Sequence, residues 1–505
     1  MKSANEIAGA IDALRIQGDS RVSVCGVTHD SRLVKPNDIF AVLKGASSDG
    51  RAFVPDALKK GASALLVDEV LDTDVTQIIV RDVRASMGTA AAVCYDRPTE
   101  RLTLVGVTGT NGKTTIVYLV ESALRMLGKR PGIMSTVAYR YEDTSFEGGF
   151  TTPEAPVIQS VAAKMLRLGA THLVMEASSH GIAQHRLNGC RYAVAAFTNL
   201  TQDHLDFHKT MEAYGAEKLR LFTEILPRNP LGRAVVNRDD PFSSSILQAL
   251  DRPVLTASVH PDGEADIRPT AAPRFSVLGI DANIQTPEGA FPLTSPLIGA
   301  HNLSNLLVSL GILMQIGESA AGAVAALGGA GAPGRLERVS EAGDPTVLVD
   351  YAHTPDALIN VLSAVKPLTK GRLICVFGCG GDRDHRKRPL MGRAVRDAAD
   401  AAVVTSDNPR TEDPADIIEM ILPGIDGGDL PRLSLSEIAA CSRGYAVEVD
   451  RRNAIFEAIA AADENDTVLI AGKGHEDYQI LGTKKIHFDD REAAREALAA
   501  RRKGA

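Results

Sequence analysis

The sequence predicts an α/β protein of three domains, each built on a mostly parallel sheet. Three observations carry that expectation. Short apolar runs alternate with apolar patterns at helical spacing along the chain, as in strand–helix–strand units. One run, Leu102–Val107, stops at a Gly-rich turn and leads directly into a helical pattern (Ile116, Val117, Leu119, Val120, Ala123, Leu124, Leu127). Four further runs, in the last third of the chain, each lead straight into a polar cluster. The length of 505 residues agrees, since roughly 150 residues per domain gives about three.

Taken in order, residues 1–97 form a small N-terminal α/β domain with strand-like runs at Val22–Val27, Ile39–Val42, Ala64–Val67 and Gln77–Val80. The polar stretch Asp96–Glu100 connects it to a central domain of phosphate-loop ATPase type, 98–334. Its runs are Leu102–Val107, His172–Met175, Tyr192–Phe197 and Arg233–Val236. The Ala/Gly stretch Ala320–Gly334 closes this domain. Its first part reads as helix and its end, Gly328–Gly334, as a hinge. A C-terminal Rossmann-like domain, 335–505, has runs at Thr346–Val349, Leu373–Phe377, Ala401–Val404 and Val468–Ile470.

A formal net charge of −8 and no long basic run argue against a nucleic-acid partner. Six scattered cysteines fit reduced thiols in a cytosol. Cys375 and Cys379 flank a Gly turn without a second pair, so buried thiols are expected rather than a metal site. No apolar stretch approaches membrane-spanning length, and the N-terminus lacks the apolar core of a signal peptide. A cytoplasmic monomer without membrane contact is expected.

The turn Gly109-Thr110-Asn111-Gly112-Lys113-Thr114-Thr115 is a shortened form of the phosphate-binding loop. Glycines let backbone N–H groups wrap a phosphate chain, and the following helix N-terminus adds positive potential. Lys113 would reach the terminal phosphates and the Thr114 hydroxyl would sit on Mg²⁺. The plainer alternative is a turn that only joins a strand to a helix, and the flanking context weighs against it. An acidic residue commonly completes Mg²⁺ coordination beside such a loop. Glu176, at the end of the run His172–Met175, is the first candidate and His204 the second, although a lone His is more often an ordinary hydrogen-bonded side chain. The group Asp203, His204, Asp206 and His208 has metal-like composition, and part of it reads as a polar loop.

The four C-terminal clusters are Asp350-Tyr351-Ala352-His353, Gly380-Gly381-Asp382-Arg383-Asp384, Asp407-Asn408-Pro409-Arg410 and Gly472-Lys473-Gly474-His475-Glu476. Open parallel sheets bind ligands at the carboxyl ends of their strands. Four clusters at four such ends suggest one shared site, against the plainer reading that loops are polar anyway.

These residues, with Glu176-Ala177-Ser178-Ser179-His180, Asp203-His204-Leu205-Asp206, Ala300-His301-Asn302 and Asp30-Ser31-Arg32, resemble the Mur ligases over the whole chain and in order. The resemblance implies an ATP- and Mg²⁺-dependent amide ligase of peptidoglycan synthesis. It would add meso-diaminopimelate to UDP-N-acetylmuramoyl-L-alanyl-D-glutamate through an acyl phosphate. It implies that Gly109–Thr115, Asn302, Arg335, Asp350 and His353 hold ATP, with Arg335 reaching the phosphates from beyond the hinge. Thr114, Glu176, His204 and a carbamylated Lys218 would ligate metal, and Lys113, Lys218 and His204 would serve the reaction. Ser31, Ala46, Ser47, Ser48, Thr151, Thr152, Ser178, Gln184 and Arg186 would hold the UDP substrate. By residue type alone most of these are ordinary helix caps, although Thr151-Thr152-Pro153 reads as the opening of a helix and a place for an anion. Arg383, Asp407, Asn408, Pro409, Arg410, Gly472 and Glu476 would take diaminopimelate, Arg410 meeting the second carboxylate that lysine lacks. The same scaffold using L-lysine is the nearest alternative, followed by folylpolyglutamate synthase. A P-loop switch would leave the C-terminal clusters without purpose, and a non-catalytic nucleotide scaffold would have no need for Glu176 and His204 near the phosphates.

Overall fold

The computed structural model describes residues 1–45, 49–331, 334–341, 343–426 and 430–504. The N-terminal segment carries a five-stranded sheet in the order Arg15–Gln17, Thr76–Ile79, Ala64–Val67, Asp38–Ala41, Gly26–Thr28, antiparallel only at the first pairing. The run Val22–Val27 is split: Ser23–Val24 pairs with Lys2–Ser3, and Gly26–Thr28 joins the main sheet.

The central sheet has eight strands in the order Thr144–Phe146, Tyr139–Tyr141, Pro131–Met134, His172–Glu176, Thr103–Thr108, Val194–Phe197, Arg233–Asn237, Val254–Ala257. All pairings from Pro131–Met134 onward are parallel. Thr103–Thr108 lies in the middle, with Leu104, Val105 and Val107 wholly buried. Burial on both faces explains why such strands read as continuous apolar runs. Each such side chain contributes roughly 1.5–3 kcal/mol. The register sets Glu176 beside Val107 and Phe197 beside Thr108, so both neighbouring strands end level with the Gly-rich turn.

The C-terminal sheet runs Glu337–Arg338, Thr346–Asp350, Thr467–Ala471, Leu373–Phe377, Ala401–Val404, Gly444–Val447, antiparallel only at the first pairing. The four strands named from sequence are parallel neighbours, so their polar clusters share one edge. A hairpin, Tyr478–Leu481 with Lys484–His487, follows the last cluster. Cys375 and Cys379 are buried free thiols whose pKa burial pushes up to about 12, which makes them inert.

The described residues form two compact units: Met1–Ala272 with Asn283–Leu293 and Ser304–Ala330, and Pro273–Ala282 with Thr294–Leu303 and Gly331–Ala505. The first two expected domains therefore share one unit although each has its own sheet. Close approach explains this. Asn188 Nδ2 donates to Ala85 O at 2.8 Å, Arg84 pairs with Glu154 at 3.3 Å, and a Cβ at Gly88 would fall 2.2 Å from Asn188 O. Within the expected hinge, Ala332 and Pro333 lie outside the described residues. No helix among the described residues is long and apolar enough to cross a membrane.

The helix expected to open at Thr151 begins at Ala155 instead and runs to Leu168, with Glu154 as its N-cap. Thr152 precedes Pro153, which biases it away from helical backbone. Pro156 falls in the first turn, where a missing N–H costs nothing.

Candidate active site

The Gly-rich turn is built as a phosphate cradle. Gly109 has φ +147° and Gly112 φ +86°. A Cβ at Gly109 would lie 1.8 Å from Thr198 Oγ1, and one at Gly112 would lie 2.4 Å from Asn305 Oδ1. Both conformation and space therefore call for glycine. The residues that follow Val194–Phe197 strap the turn down. Thr110 N donates to Asn199 O (2.8 Å), Asn111 N to Asn199 Oδ1 (2.9 Å), and Thr198 Oγ1 to Asn111 O (2.6 Å). Lys113 opens the helix Lys113–Met126, and its Nζ donates to Gly109 O (3.0 Å) and Thr110 O (2.8 Å). Thr115 is buried in the first turn. The strap has no signal in the sequence, where Thr198 and Asn199 stand only as the polar residues after an apolar run.

Glu176 is where the two expected substrate groups meet. Its Oε1 accepts Thr114 Oγ1 at 2.8 Å and Thr136 N at 2.9 Å, while Thr136 Oγ1 donates to Thr151 Oγ1 at 2.9 Å. Its carbonyl accepts Thr152 Oγ1 at 2.8 Å, and Thr152 Oγ1 lies 2.9 Å from Ser178 Oγ. Arg186 donates through Nη1 to Thr152 O (2.8 Å) and through Nη2 to Gln184 Oε1 (2.7 Å), and pairs with Glu154 at 2.9 Å. Its guanidinium lies 4.7 Å over the Phe150 ring. Thr151, Thr152, Ser178, Gln184 and Arg186 are thus one connected group. Ser31 starts a short 3₁₀ turn capped by Asp30, and the neighbouring His29 feels the charges of Glu154 and Arg186. Ala46, Ser47 and Ser48 lie outside the described residues.

Lys218, on the helix Met211–Arg220, is 1 % exposed. Its Nζ donates to Gly109 O at 2.8 Å and lies 4.3 Å over the Tyr214 ring. Burial drives its pKa well below the ordinary lysine value, the Lys113 charge adds to this, and Asp203 opposes it. His204 sits at φ +53° with Nε2 3.4 Å from Asp203. Burial lowers its pKa against the pull of Asp203, and Lys113 and Lys218 add to the lowering. The imidazole is therefore neutral at pH 7 and able to bind a cation. His208 is instead tied to Ser179 Oγ at 2.9 Å, so the metal-like group 203–208 is partly structural. Sequence alone does not single out His180, whose ring lies 4.6 Å from His204 and 4.3 Å from Phe207. Burial, then the His204 and His208 charges, lower its pKa to about 4. Its place four residues after Glu176 is the available signal.

Among the described residues no group of three or more His, Cys, Asp or Glu side chains is arranged to hold a metal unaided. A hydroxyl and a carboxylate 2.8 Å apart beside a phosphate cradle nevertheless fit Mg²⁺. That ion takes one or two carboxylates, keeps waters, and draws further oxygens from substrate phosphates.

In the second unit, Asp350, Tyr351 and His353 follow one strand end. Asp350 is buried, and its oxygens accept Leu336 N and Ala352 N, each at 2.8 Å. Burial raises its pKa while Arg335 opposes the rise. The arrangement makes Asp350 a brace for the turn carrying Arg335. The Arg335 guanidinium lies 4.7 Å over the Tyr351 ring, and His475 stacks on the same ring at 4.9 Å. His353 Nδ1 is 2.8 Å from Tyr351 O. Asn302 Nδ2 donates to Ile298 O at 2.9 Å.

The other clusters interlock. Asn408 Nδ2 donates to Glu476 Oε2 at 2.9 Å, and Asn408 Oδ1 accepts Lys473 Nζ at 3.1 Å and Ile480 N at 3.0 Å. Lys473 has no exposed side-chain surface and lies 3.4 Å from both Asp407 Oδ1 and Glu476 Oε2. Pro409 is buried, and Arg410 Nη1 donates to Gly381 O at 2.8 Å. Arg383 is exposed, donating to Asp382 O at 3.2 Å. Gly472 takes φ +126°. Below them Arg451, paired with Asp490 at 2.7 Å, donates to Ala471 O (3.0 Å) and Ser406 O (3.4 Å). It thereby fixes the ends of the two strands that deliver Gly472 and Asp407. Neither Lys473 nor Arg451 has a role that the sequence reveals. Lys473 stands inside a polar cluster, whereas Arg451 has no local signal.

Comparison with known proteins places three family models on the chain. These are the Mur ligase family catalytic domain at residues 23–96, the Mur ligase middle domain at 107–313, and the Mur ligase glutamate ligase domain at 334–474. The chain is 48% identical over 486 residues to the UDP-N-acetylmuramoyl-L-alanyl-D-glutamate–2,6-diaminopimelate ligase of Gloeobacter violaceus, covering 95% of each. It is 43% identical over 490 residues to the ligase of the same name from Synechococcus elongatus, again covering 95% of each. A solved structure of a ligase of that name aligns with TM-score 0.73 at 34% identity, covering 99% of both chains.

Proposed function

The chain belongs to the Mur ligase family, and from that premise we propose that it joins meso-diaminopimelate to UDP-N-acetylmuramoyl-L-alanyl-D-glutamate with ATP as the energy source. The observation that carries the reading is the interlocked turn of the second unit. There the residues Asp407–Arg410 present a guanidinium while Asn408 is bonded to the Glu476 carboxylate. A fork-shaped cation and a carboxylate on two interlocked turns suit the distal carboxylate and ammonium of diaminopimelate.

The dipeptide carboxylate attacks the γ-phosphate of ATP, and the acyl phosphate is then attacked by the incoming amine. That chemistry needs positioning and charge neutralisation rather than a protein nucleophile. Lys113 and the amides of the Gly-rich turn hold the phosphates. Thr151, Thr152, Ser178, Gln184 and Arg186 hold the muramoyl dipeptide, and the contacts of Glu176 with both Thr114 and the Thr136–Thr151 pair support setting the two substrates side by side. Thr114, Glu176, His204 and carbamylated Lys218 would hold Mg²⁺, which neutralises phosphate charge when bound. Asn302, Arg335 and His353 serve the nucleotide, and Asp350 braces Arg335. The enzyme would act in the cytoplasm as a monomer.

Phosphate release from ATP and Mg²⁺ in the presence of the UDP-muramoyl dipeptide tests this, run in parallel with meso-diaminopimelate and L-lysine. Turnover with diaminopimelate alone is expected. Turnover with lysine would keep the ligase and overturn the specificity, while hydrolysis indifferent to the amino acid would overturn both. Arg410→Ala is expected to raise the diaminopimelate KM by about tenfold or more with the ATP KM unchanged, since a charge-assisted hydrogen bond is worth roughly 1.5–3 kcal/mol. A smaller shift would count against that role.

A further inference from the structure

In the second unit the non-glycine residues Asp382 and Arg410, like Leu336, adopt left-handed backbone, with φ +54° and +53°. Such conformations persist only where the surroundings hold them. Here the loops that carry them are stitched together. Gly381 N donates to Asn408 O at 2.9 Å, and Arg410 Nη1 returns a bond to Gly381 O at 2.8 Å. Thr411 donates through Oγ1 to Asp382 Oδ1 (2.7 Å) and through N to Asp382 Oδ2 (3.3 Å). Asp382 N donates to Glu412 Oε1. A Cβ at Gly381 would fall 1.8 Å from Pro409 O, so the loops touch backbone to backbone.

The last stitch ends in the interior. Glu412 accepts both arms of Arg388, at 2.8 and 2.9 Å, and Arg388, on the helix Lys387–Ala398, has no exposed side-chain surface. Neither residue has a place among the groups that would meet substrate. One carboxylate thus joins a rigid helix, through a bidentate fork, to the amide of a strained loop residue.

We propose that the pair of buried Arg388 with half-buried Glu412 is a positioning device for amino-acid selection, latching the 380–383 loop onto the 407–412 turn so that Arg383 and Arg410 keep one arrangement. The proposal rests on the reading of this site as the diaminopimelate site. A buried ion pair is weak evidence for stability, and apolar replacement of both partners is commonly tolerated, whereas loss of one partner leaves a stranded charge. The test therefore uses the double variant Arg388→Met/Glu412→Leu and, separately, Thr411→Val at an exposed position.

Steady-state kinetics of the full chain are measured for all three substrates, together with the preference for meso-diaminopimelate over L-lysine. The double variant is expected to raise the diaminopimelate KM by about tenfold, and Thr411→Val by about threefold, with the kcat at saturation and the other two KM values little changed. The preference over lysine falls in step. Unchanged diaminopimelate KM in both variants, or all three KM values rising together, overturns the latch. Wild-type enzyme that forms no amide with diaminopimelate overturns instead the reading on which it rests.

Discussion

Replacing Lys113 by alanine is expected to abolish amide formation while leaving the folded chain as stable as before. The ammonium is held over the Gly-rich turn by the carbonyls of Gly109 and Thr110, the place where the terminal phosphates of a nucleotide would lie. Removing one preorganised charge from such a site costs on the order of a hundred- to a thousandfold in rate. Alanine is the best helix former, so the helix Lys113–Met126 loses nothing at its first residue. Lys113→Arg is not expected to rescue, because a planar fork does not replace a compact point charge in a cradle closed by Asn305 and Thr198. Phosphate release and product formation by the two variants, with thermal melting as the folding control, check this. Normal ligation by Lys113→Ala would remove the phosphate-loop assignment.

Lys218→Met is expected to be inactive and yet no less stable than the wild type. A lysine that is 1 % exposed, with its pKa driven well down by burial, is an amine whose charged form the fold disfavours. In the unfolded chain the same amine titrates near its ordinary value of roughly 10.4. Between that value and the lower folded one, the unfolded state binds the extra proton, so wild-type stability rises with pH through this window and falls as pH is lowered. The methionine variant lacks this slope. In carbonate-free buffer its melting temperature should therefore gain on the wild type as pH is lowered from about 10 towards 7. A neutral amine is also the form that adds carbon dioxide: the nitrogen attacks carbon, a proton leaves, and an anionic carbamate results. Wild-type activity should thus fall in carbonate-depleted buffer and return with bicarbonate. Full activity of Lys218→Met would end that role, and a variant that melts well below the wild type at every pH would contradict the neutral amine.

Four strands of each large sheet were legible because their faces are covered on both sides, whereas Pro131–Met134, Tyr139–Tyr141, Thr144–Phe146 and Val254–Ala257 of the central sheet were not read. Leu373–Phe377 and Ala401–Val404 coincide with the sequence runs, and Thr346–Asp350 and Thr467–Ala471 extend theirs by a residue or two. Gly444–Val447 and the hairpin 478–487 were not legible, since the first opens on Gly444 and Tyr445 rather than an aliphatic run and the second strand of the hairpin is exposed along its length. The Gly-rich turn announced itself through glycines that geometry demands. What the sequence hid was tertiary. Nothing local marks Asn305 as the neighbour of Gly112, Arg451 as the tie beneath two strand ends, or Arg388 as the far anchor of the Arg410 turn. The opening of the helix at Ala155 is easily misread because Thr and Pro together mimic a cap, while Thr152 commits its hydroxyl to Glu176 and Ser178.

The phosphate cradle and its lysines lie wholly within the first unit, and the interlocked turn with Glu476, Lys473 and Arg451 wholly within the second. On the proposed reading the phosphate cradle and the amino-acid turns are therefore written in separate stretches of the chain, although Asn302, Arg335 and His353 of the second unit would also serve the nucleotide. Mutation would then redraft the choice of amino acid in residues 380–412 and 472–476 without revising the phosphate cradle. A scaffold partitioned in this way lends itself to diversification by exchange of one segment, in nature or at the bench.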